Sequence, residues 1–296
     1  MSNSVIIDTD PGIDDSIALY VAHKLFGSKI LGMIASFGNL PLSTTESNLK
    51  NLSKLYKIDC PLYSGANKPM KRDFQTAANI HGDNGIGGIE LEKSNAHLGS
   101  LSDLAQAILL QDKTDYIVLG PMTNLAMLLK DYPQIKSHIG KVVVMGGGII
   151  EHNMPGHSEF NFHCDPYSAD FVVNSGLDVA VIPLDVTSKV YFDYEQIDLL
   201  FKPDSDIKSV INSMLKFCHK TNTEFGEAGA VMHDATAVIY YHLPKLFYMI
   251  NSGLNVSEDN DSYGKCILNN NSDNVKFGAY SDADKVKDMI VNAIIK

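Results

Sequence analysis

Five short segments of this chain are apolar almost without interruption, and they constrain its fold more than any other feature. Val5-Ile6-Ile7, Ile30–Ala35, 116–119, 142–145 and 179–182 are rich in branched aliphatic residues and lack a polar residue at every second position. A strand with no polar face must be covered on both sides, which is the signature of a parallel sheet between helical layers. The intervening segments carry helical spacing. Helices are predicted over 14–26, with Ile17, Leu19, Val21, Ala22 and Leu25 as an apolar face, and over 43–56, capped by Ser43 or Thr44. Further helices are predicted over 101–110, 122–129 and 166–174. From 207 to about 225 the apolar positions 207, 210, 211, 214, 215 and 218 keep that period, and another helix starts at His233. A strand over 275–280 and a helix over 282–295 close the chain. No linker or repeat divides it. The expectation is a single α/β domain over 1–296, Rossmann-like, with a mostly parallel central sheet flanked by helices. In such folds the ligand sits beyond the carboxyl ends of the strands.

Charge and cysteine content narrow the partners. Against 35 Asp and Glu stand 24 Lys and Arg, a formal net charge of −11. An acidic surface repels a phosphate backbone, and the densest basic run, from Lys68 to Arg72, is short, so no nucleic acid is expected as a partner. Cys60, Cys164, Cys218 and Cys266 are scattered, with no zinc or redox spacing, and read as free thiols. The first eight residues lack the basic region and apolar stretch of a secretory signal, and no apolar run is long enough to span a membrane. These features point to a cytoplasmic protein.

The first strand exit is the most unusual segment. Asp8-Thr9-Asp10-Pro11-Gly12-Ile13-Asp14-Asp15 puts four carboxylates on eight residues directly after a buried strand. Like charges held this closely repel one another and call for a cation, and an all-oxygen ligand set suits a hard ion, Ca²⁺ or Mg²⁺. An EF-hand does not fit. With Asp8 at loop position one, the glycine position falls on Ile13 and the terminal glutamate position on Leu19. An aspartyl-phosphate phosphatase, in which the first aspartate is both nucleophile and ligand, fits this segment better.

The same segment resembles the signature of the inosine-uridine preferring nucleoside hydrolases, and further segments match that family in order: Phe37-Gly38-Asn39, His81-Gly82-Asp83-Asn84-Gly85, Pro121-Met122-Thr123-Asn124, Met145-Gly146-Gly147, Asn153, Glu159-Phe160-Asn161, Asp165-Pro166 and His233-Asp234. The resemblance implies hydrolysis of the N-glycosidic bond of ribonucleosides to ribose and free base. It also implies a Ca²⁺ held by Asp10, Asp15, Asp234 and the carbonyl of Thr123. Asp10 would be the general base on a calcium-activated water. Asp14, Asn153, Glu159 and Asn161 would bind the sugar, and their charge would favour an oxocarbenium-like transition state. His233 would protonate the leaving base, since an ordinary histidine titrates near neutrality. Asn39 would line the base side, His81 would sit on a glycine-rich lid, and Met145 would pack under the ribose. Nucleoside salvage and a homodimer or homotetramer are implied as well.

Three further expectations come from the residues themselves. The run Gly146-Gly147-Gly148 lacks phosphate-loop spacing and reads as backbone passing close to a ligand. The chain has no tryptophan, so no indole sandwich can grip the base. Phe217, Thr221 and Phe225 share one helix face; with the resemblance, that face is placed over the base, and modest base selectivity is implied, with pyrimidines slightly favoured and deoxynucleosides poor. Two rivals stand beside this reading, a metal-dependent phosphatase and a calcium-dependent nucleoside-binding protein without turnover.

Overall fold

The computed structural model describes residues 3–72 and 77–296. Its strands are β1 (Ser4–Thr9), β2 (Ile30–Ala35), β3 (Leu62–Ser64), β4 (Leu98–Gly99), β5 (Thr114–Val118), β6 (Ile139–Met145), β7 (Asp178–Ile182), β8 (Tyr191–Phe192), β9 (Ala230–Val231), β10 (Phe247–Val256), β11 (Cys266–Asn269) and β12 (Val275–Ser281). Its helices are α1 (Ile13–Phe26), α2 (Leu42–Tyr56), α3 (Ala78–His81), α4 (Leu101–Leu109), α5 (Thr123–Asp131), α6 (Phe160–Cys164), α7 (Pro166–Val173), α8 (Leu184–Thr187), α9 (Tyr194–Leu200), α10 (Asp206–Glu224), α11 (His233–His242) and α12 (Ala283–Ile295). Among the described residues one sheet of ten strands runs in the order β11-β10-β12-β7-β6-β5-β1-β2-β3-β4. It is parallel from β12 through β4, while β10 and β11 are antiparallel additions at one edge.

Successive side chains of a strand point to opposite faces, and each face carries its own core. Val5, Ile7, Ile117 and Val143 pack with α1, α10, α11 and α12 on one side. Ile6, Tyr116, Val118, Val142 and Val144 pack with α4, α5 and α7 on the other. The expected two-sided burial of the central strands is therefore present.

Differences from the sequence expectation have local causes. Helix α1 is not amphipathic: Ile17, Ala18, Leu19, Val21 and Ala22 are all buried, because α10, α11 and α12 pack around it. Helix α2 is not capped by Ser43 or Thr44. Pro41 occupies the cap position without a side-chain bond, and the Thr45 hydroxyl donates to the Ser36 carbonyl instead, at 2.8 Å. The antiparallel pair β10 and β11 was not anticipated. The exits of β1, β2, β5 and β6 lie side by side, tied by Ser36 N–H to Thr9 O at 2.9 Å and Leu119 N–H to Asp8 O at 2.8 Å. No helix among the described residues is long and apolar enough to cross a membrane.

Candidate active site

Asp15, in the first turn of α1, organises the acidic turn. Its Oδ1 accepts from Thr9 Oγ1 at 2.6 Å and Asp10 N at 3.2 Å, and its Oδ2 accepts from Gly12 N at 3.1 Å and Asn39 Nδ2 at 3.0 Å. Asn39 also donates its backbone N–H to Asp10 Oδ2 at 2.7 Å and its Nδ2 to the Asp10 carbonyl at 3.1 Å. Asn39 lines the cleft, but its amide nitrogen is spent on clamping this turn.

Asp10 is buried, and its Oδ1 has no hydrogen-bond partner. A Cβ at Gly38 or Gly120 would run into the Asp10 carboxylate, so these two glycines create the space it occupies. An orphaned buried carboxylate oxygen is costly and calls for a charge or donor opposite it. Carboxylate oxygens of Asp14, Asp15 and Asp234 lie within 4.8 Å of one another. Burial, then repulsion from Asp15 and Asp14, holds the Asp10 carboxyl well above its usual range. Burial and Asp15 push Asp14 up to about 7, and burial with Asp14, Asp15 and Asp10 holds Asp234 well above the usual carboxylate range. An oxygen-only cluster that resists ionisation without a counter-charge fits a hard cation. Asp14, which the sequence reading put on the sugar, thus converges with Asp15 and Asp234, and the Asp10 charge acts on the same group.

Thr123 begins α5, and its hydroxyl donates to Asp165 Oδ2 at 2.7 Å. Asp165 caps α7 and also takes the Met70 N–H at 3.0 Å and the Ser168 hydroxyl at 2.6 Å. Asp8 faces away from the cluster: Asn124 Nδ2 donates to its Oδ1 at 2.8 Å and the Tyr116 hydroxyl to its Oδ2 at 3.1 Å. These supports were not found in the sequence, because their partners lie far along the chain.

A cleft of about 500 Å³ opens over the strand exits. Asp14, Asn39, His81, Met145, Asn153, Glu159, Asn161, His233 and Asp234 all line it, together with Ile13, Leu119 and Leu184. Asn161 Nδ2 donates to the carbonyls of Leu119 at 2.7 Å and Met145 at 3.3 Å, spanning two strand exits. Glu159 caps α6: its Oε1 accepts from Asn161 N at 2.9 Å, and its Oε2 from Gly147 N at 3.0 Å and Phe162 N at 3.1 Å. Burial still raises its carboxyl to about 7 against those bonds. Asn153 Oδ1 accepts from Phe160 N at 3.0 Å.

The glycine run has a different role from the one expected. A Cβ at Gly146 would strike Phe162, at Gly147 the Cys266 sulfur, and at Gly148 the Glu151 carbonyl, so the run is glycine to pack against this chain's own atoms. Asp185 fastens the segment that follows, its oxygens accepting from Ile149 N at 2.8 Å, Ile150 N at 2.7 Å and Glu151 N at 3.2 Å.

His233 starts α11, and its Nδ1 shares a hydrogen bond of 2.7 Å with the Thr187 hydroxyl. Burial, with His81 adding to it, lowers this imidazole to about 4, so the neutral ring prevails near pH 7, contrary to the ordinary value assumed from sequence. His81 Nδ1 accepts from Ile13 N at 3.1 Å, which anchors its loop to α1 and puts the proton of the neutral ring on Nε2. Burial lowers His81 to about 4 as well, with Asp15 opposing. Helix α10 is rotated from the expected face: Cys218, Asn222 and Phe225 line the cleft. Phe217 packs toward Gly87 and Thr221 is buried.

Comparison with known proteins shows the family and the fold. Residues 5–288 match the family described as inosine-uridine preferring nucleoside hydrolase. The pyrimidine-specific ribonucleoside hydrolase RihA of Salmonella typhimurium is 32% identical over 255 residues, 83% of this chain and 82% of that protein. RihA of Photobacterium profundum is 33% identical over 262 residues, 85% and 83% respectively. A purine-preferring ribonucleoside hydrolase from Gardnerella vaginalis superposes with a TM-score of 0.90 over 98% of this chain and 97% of its own, at 25% identity. The plant nucleoside hydrolase PpNRh1 superposes with a TM-score of 0.90 over 98% of both chains, at 23% identity, and so shares the fold.

Proposed function

The chain belongs to the inosine-uridine preferring nucleoside hydrolase family, and from that premise we propose that it cleaves the N-glycosidic bond of ribonucleosides, releasing ribose and free base. The observation that carries the reading is the orphaned Asp10 Oδ1 beside the Asp14, Asp15 and Asp234 carboxylates, under a cleft of about 500 Å³ that suits a small polar ligand.

Asp10, Asp15, Asp234 and the Thr123 carbonyl are the proposed holders of Ca²⁺, and the closeness of Asp14 makes it a further candidate. The cation, when bound, supplies Lewis-acid activation of water and positive charge for the ribose hydroxyls. Asp10 takes the proton from the attacking water. Its Oδ2 is held by Asn39, which leaves Oδ1 for that work. Asp14, Asn153, Glu159 and Asn161 grip the ribose. The bonds that fix Glu159 and Asn161 hold them in place before substrate arrives, so little ordering is needed on binding. As positive charge develops on the sugar, the carboxylates around it stabilise it. His233 stands beside Asp234 and hands a proton to the departing base. Its burial makes that proton scarce on the free ring at neutral pH and makes the transfer favourable once the ring carries it.

Relatives named for pyrimidines and a structural neighbour named for purines support a site that accepts both, with uridine slightly favoured. Free thiols on all four cysteines suit a cytoplasmic enzyme, and a homodimer or homotetramer is the assembly proposed.

The test is reducing-sugar release from uridine, cytidine, inosine, adenosine and deoxyuridine, assayed side by side. Ribonucleosides of both classes are expected to be cleaved and deoxyuridine poorly, because loss of the 2′-hydroxyl leaves polar groups of the sugar site unpaired. Neither a phosphatase nor a binding protein releases sugar from any of them. Equal turnover of uridine and deoxyuridine would refute the sugar-gripping roles.

A further inference from the structure

One polar group on the cleft wall is held in a single orientation and is not used by the roles above. Asn222 lies on α10 and lines the cleft between Cys218 and Phe225. Its Nδ2 donates to the Gly229 carbonyl at 3.1 Å and lies 3.5 Å from Cys218 Sγ. The Gly229 carbonyl is itself fixed, since the next residues, Ala230–Val231, form β9 and pair with β8. Rotating the amide by half a turn would set Oδ1 against that carbonyl oxygen, acceptor against acceptor. The amide is therefore locked with its nitrogen toward Gly229, and no hydrogen bond reaches Oδ1 among the described residues. Around it the wall carries the apolar Cys218, Phe225 and Val231, with Glu227, whose N–H donates to the Asn222 carbonyl at 2.9 Å, also on the lining. A fixed acceptor on the wall of a cleft tells an N–H from a lone pair or a methyl group.

We infer that Asn222 is a specificity-determining residue, its Oδ1 accepting a hydrogen bond from a ring N–H on the base edge, as carried by uracil and hypoxanthine. The inference rests on the nucleoside hydrolase reading. With the ribose over the carboxylates and the base leaving past His233, the α10 wall faces the base. Bases blocked at the ring nitrogen would lose the bond and meet the amide oxygen with a methyl group.

The experiment is a substrate-by-variant cycle with uridine and 3-methyluridine on wild type, Asn222→Ala and Asn222→Leu, reading kcat and KM separately, with thermal melts as a check on folding. Wild type is expected to prefer uridine by at least about tenfold in kcat/KM, in line with one partly buried hydrogen bond. Both variants should lose about tenfold on uridine, mainly through KM, because the contact exists in ground and transition states alike. Asn222→Ala should leave 3-methyluridine unchanged or improved, bringing the two substrates within about twofold. Inosine and 1-methylinosine should behave the same way. The inference is overturned if wild type does not discriminate, if the ratio survives in both variants, or if both substrates fall together, as a purely structural role for the Gly229 bond requires. If wild type releases ribose from neither nucleoside, the hydrolase reading itself fails and Asn222 falls with it.

Discussion

Replacing Asp10 with asparagine should make the protein more stable and the enzyme nearly inactive, in opposite directions from one change. The amide matches the carboxylate in shape, so the gap between Gly38 and Gly120 still accepts it, and its oxygen can keep the Asn39 N–H. What disappears is a buried acid with an unpartnered oxygen, whose ionisation beside Asp14 and Asp15 is unfavourable. Relieving an unsatisfied buried group of this kind is worth about 1–3 kcal/mol. Unfolding entropy scales with length, and for 296 residues it is roughly 0.6 kcal/mol/K, so the metal-free variant should melt about 2–5 °C above wild type.

Calcium should reverse that order. At about a hundred times its dissociation constant a ligand adds roughly 2.7 kcal/mol, or about 4 °C here, to the form that binds it. Wild type should gain that shift and Asp10→Asn much less of it. Turnover should fall by about 10²–10⁴, the worth of a general base. Scanning calorimetry in chelator and in calcium, with reducing-sugar release alongside, reads all three quantities. A variant that melts below wild type in chelator, yet shows the full calcium shift, would mean that Asp10 faces neither the cation nor its neighbours as described. Near-normal turnover would remove Asp10 from the chemistry.

Prolonged chelation should abolish activity in wild type, and Ca²⁺ should restore it; full activity in protein shown by elemental analysis to be free of metal would exclude the ion. Gly120→Ala should push a methyl group into the Asp10 carboxylate, and a loss of about a hundredfold or more in kcat is expected from the displaced group, with the fold retained by circular dichroism. Unchanged kcat in that variant would show that the position of Asp10 is not critical.

The central architecture was legible because it depends on burial alone. Ile30–Ala35 and the apolar parts of β1, β5, β6 and β7 are covered on both faces, so hydrophobicity without alternation identifies them. The antiparallel edge was not legible for the converse reason. Strand β10 mixes Asn251, Ser252 and Asn255 with exposed Tyr248, and its existence depends on pairing with β12 and β11, which no local pattern encodes. The crowding around α1 is likewise a tertiary fact. A helix enclosed by three others needs no polar face, and composition over 14–26 does not reveal how many neighbours it will have.

In the site, the same division separates what a short motif holds from what the fold assembles. Asp10, Asp14 and Asp15 share one turn, so their proximity follows from the covalent chain. Asp234 joins them only because α11 packs on α1, and its role could be anticipated solely through resemblance. Supports such as Asp165 for Thr123, Asp8 for Asn124 and Thr187 for His233 bridge 42, 116 and 46 residues, and nothing in the local sequence marks either partner. Helix α10 shows a subtler limit. Spacing identifies which residues share a face but not which face turns inward, so Phe217, Thr221 and Phe225 and the observed Cys218, Asn222 and Phe225 are both consistent with the pattern. The phase is decided by Phe217 filling the space over Gly87, where a Cβ would collide with its ring. That contact sets a polar amide, in place of Thr221, on the wall of the cleft, and the discrimination inferred for Asn222 depends on it.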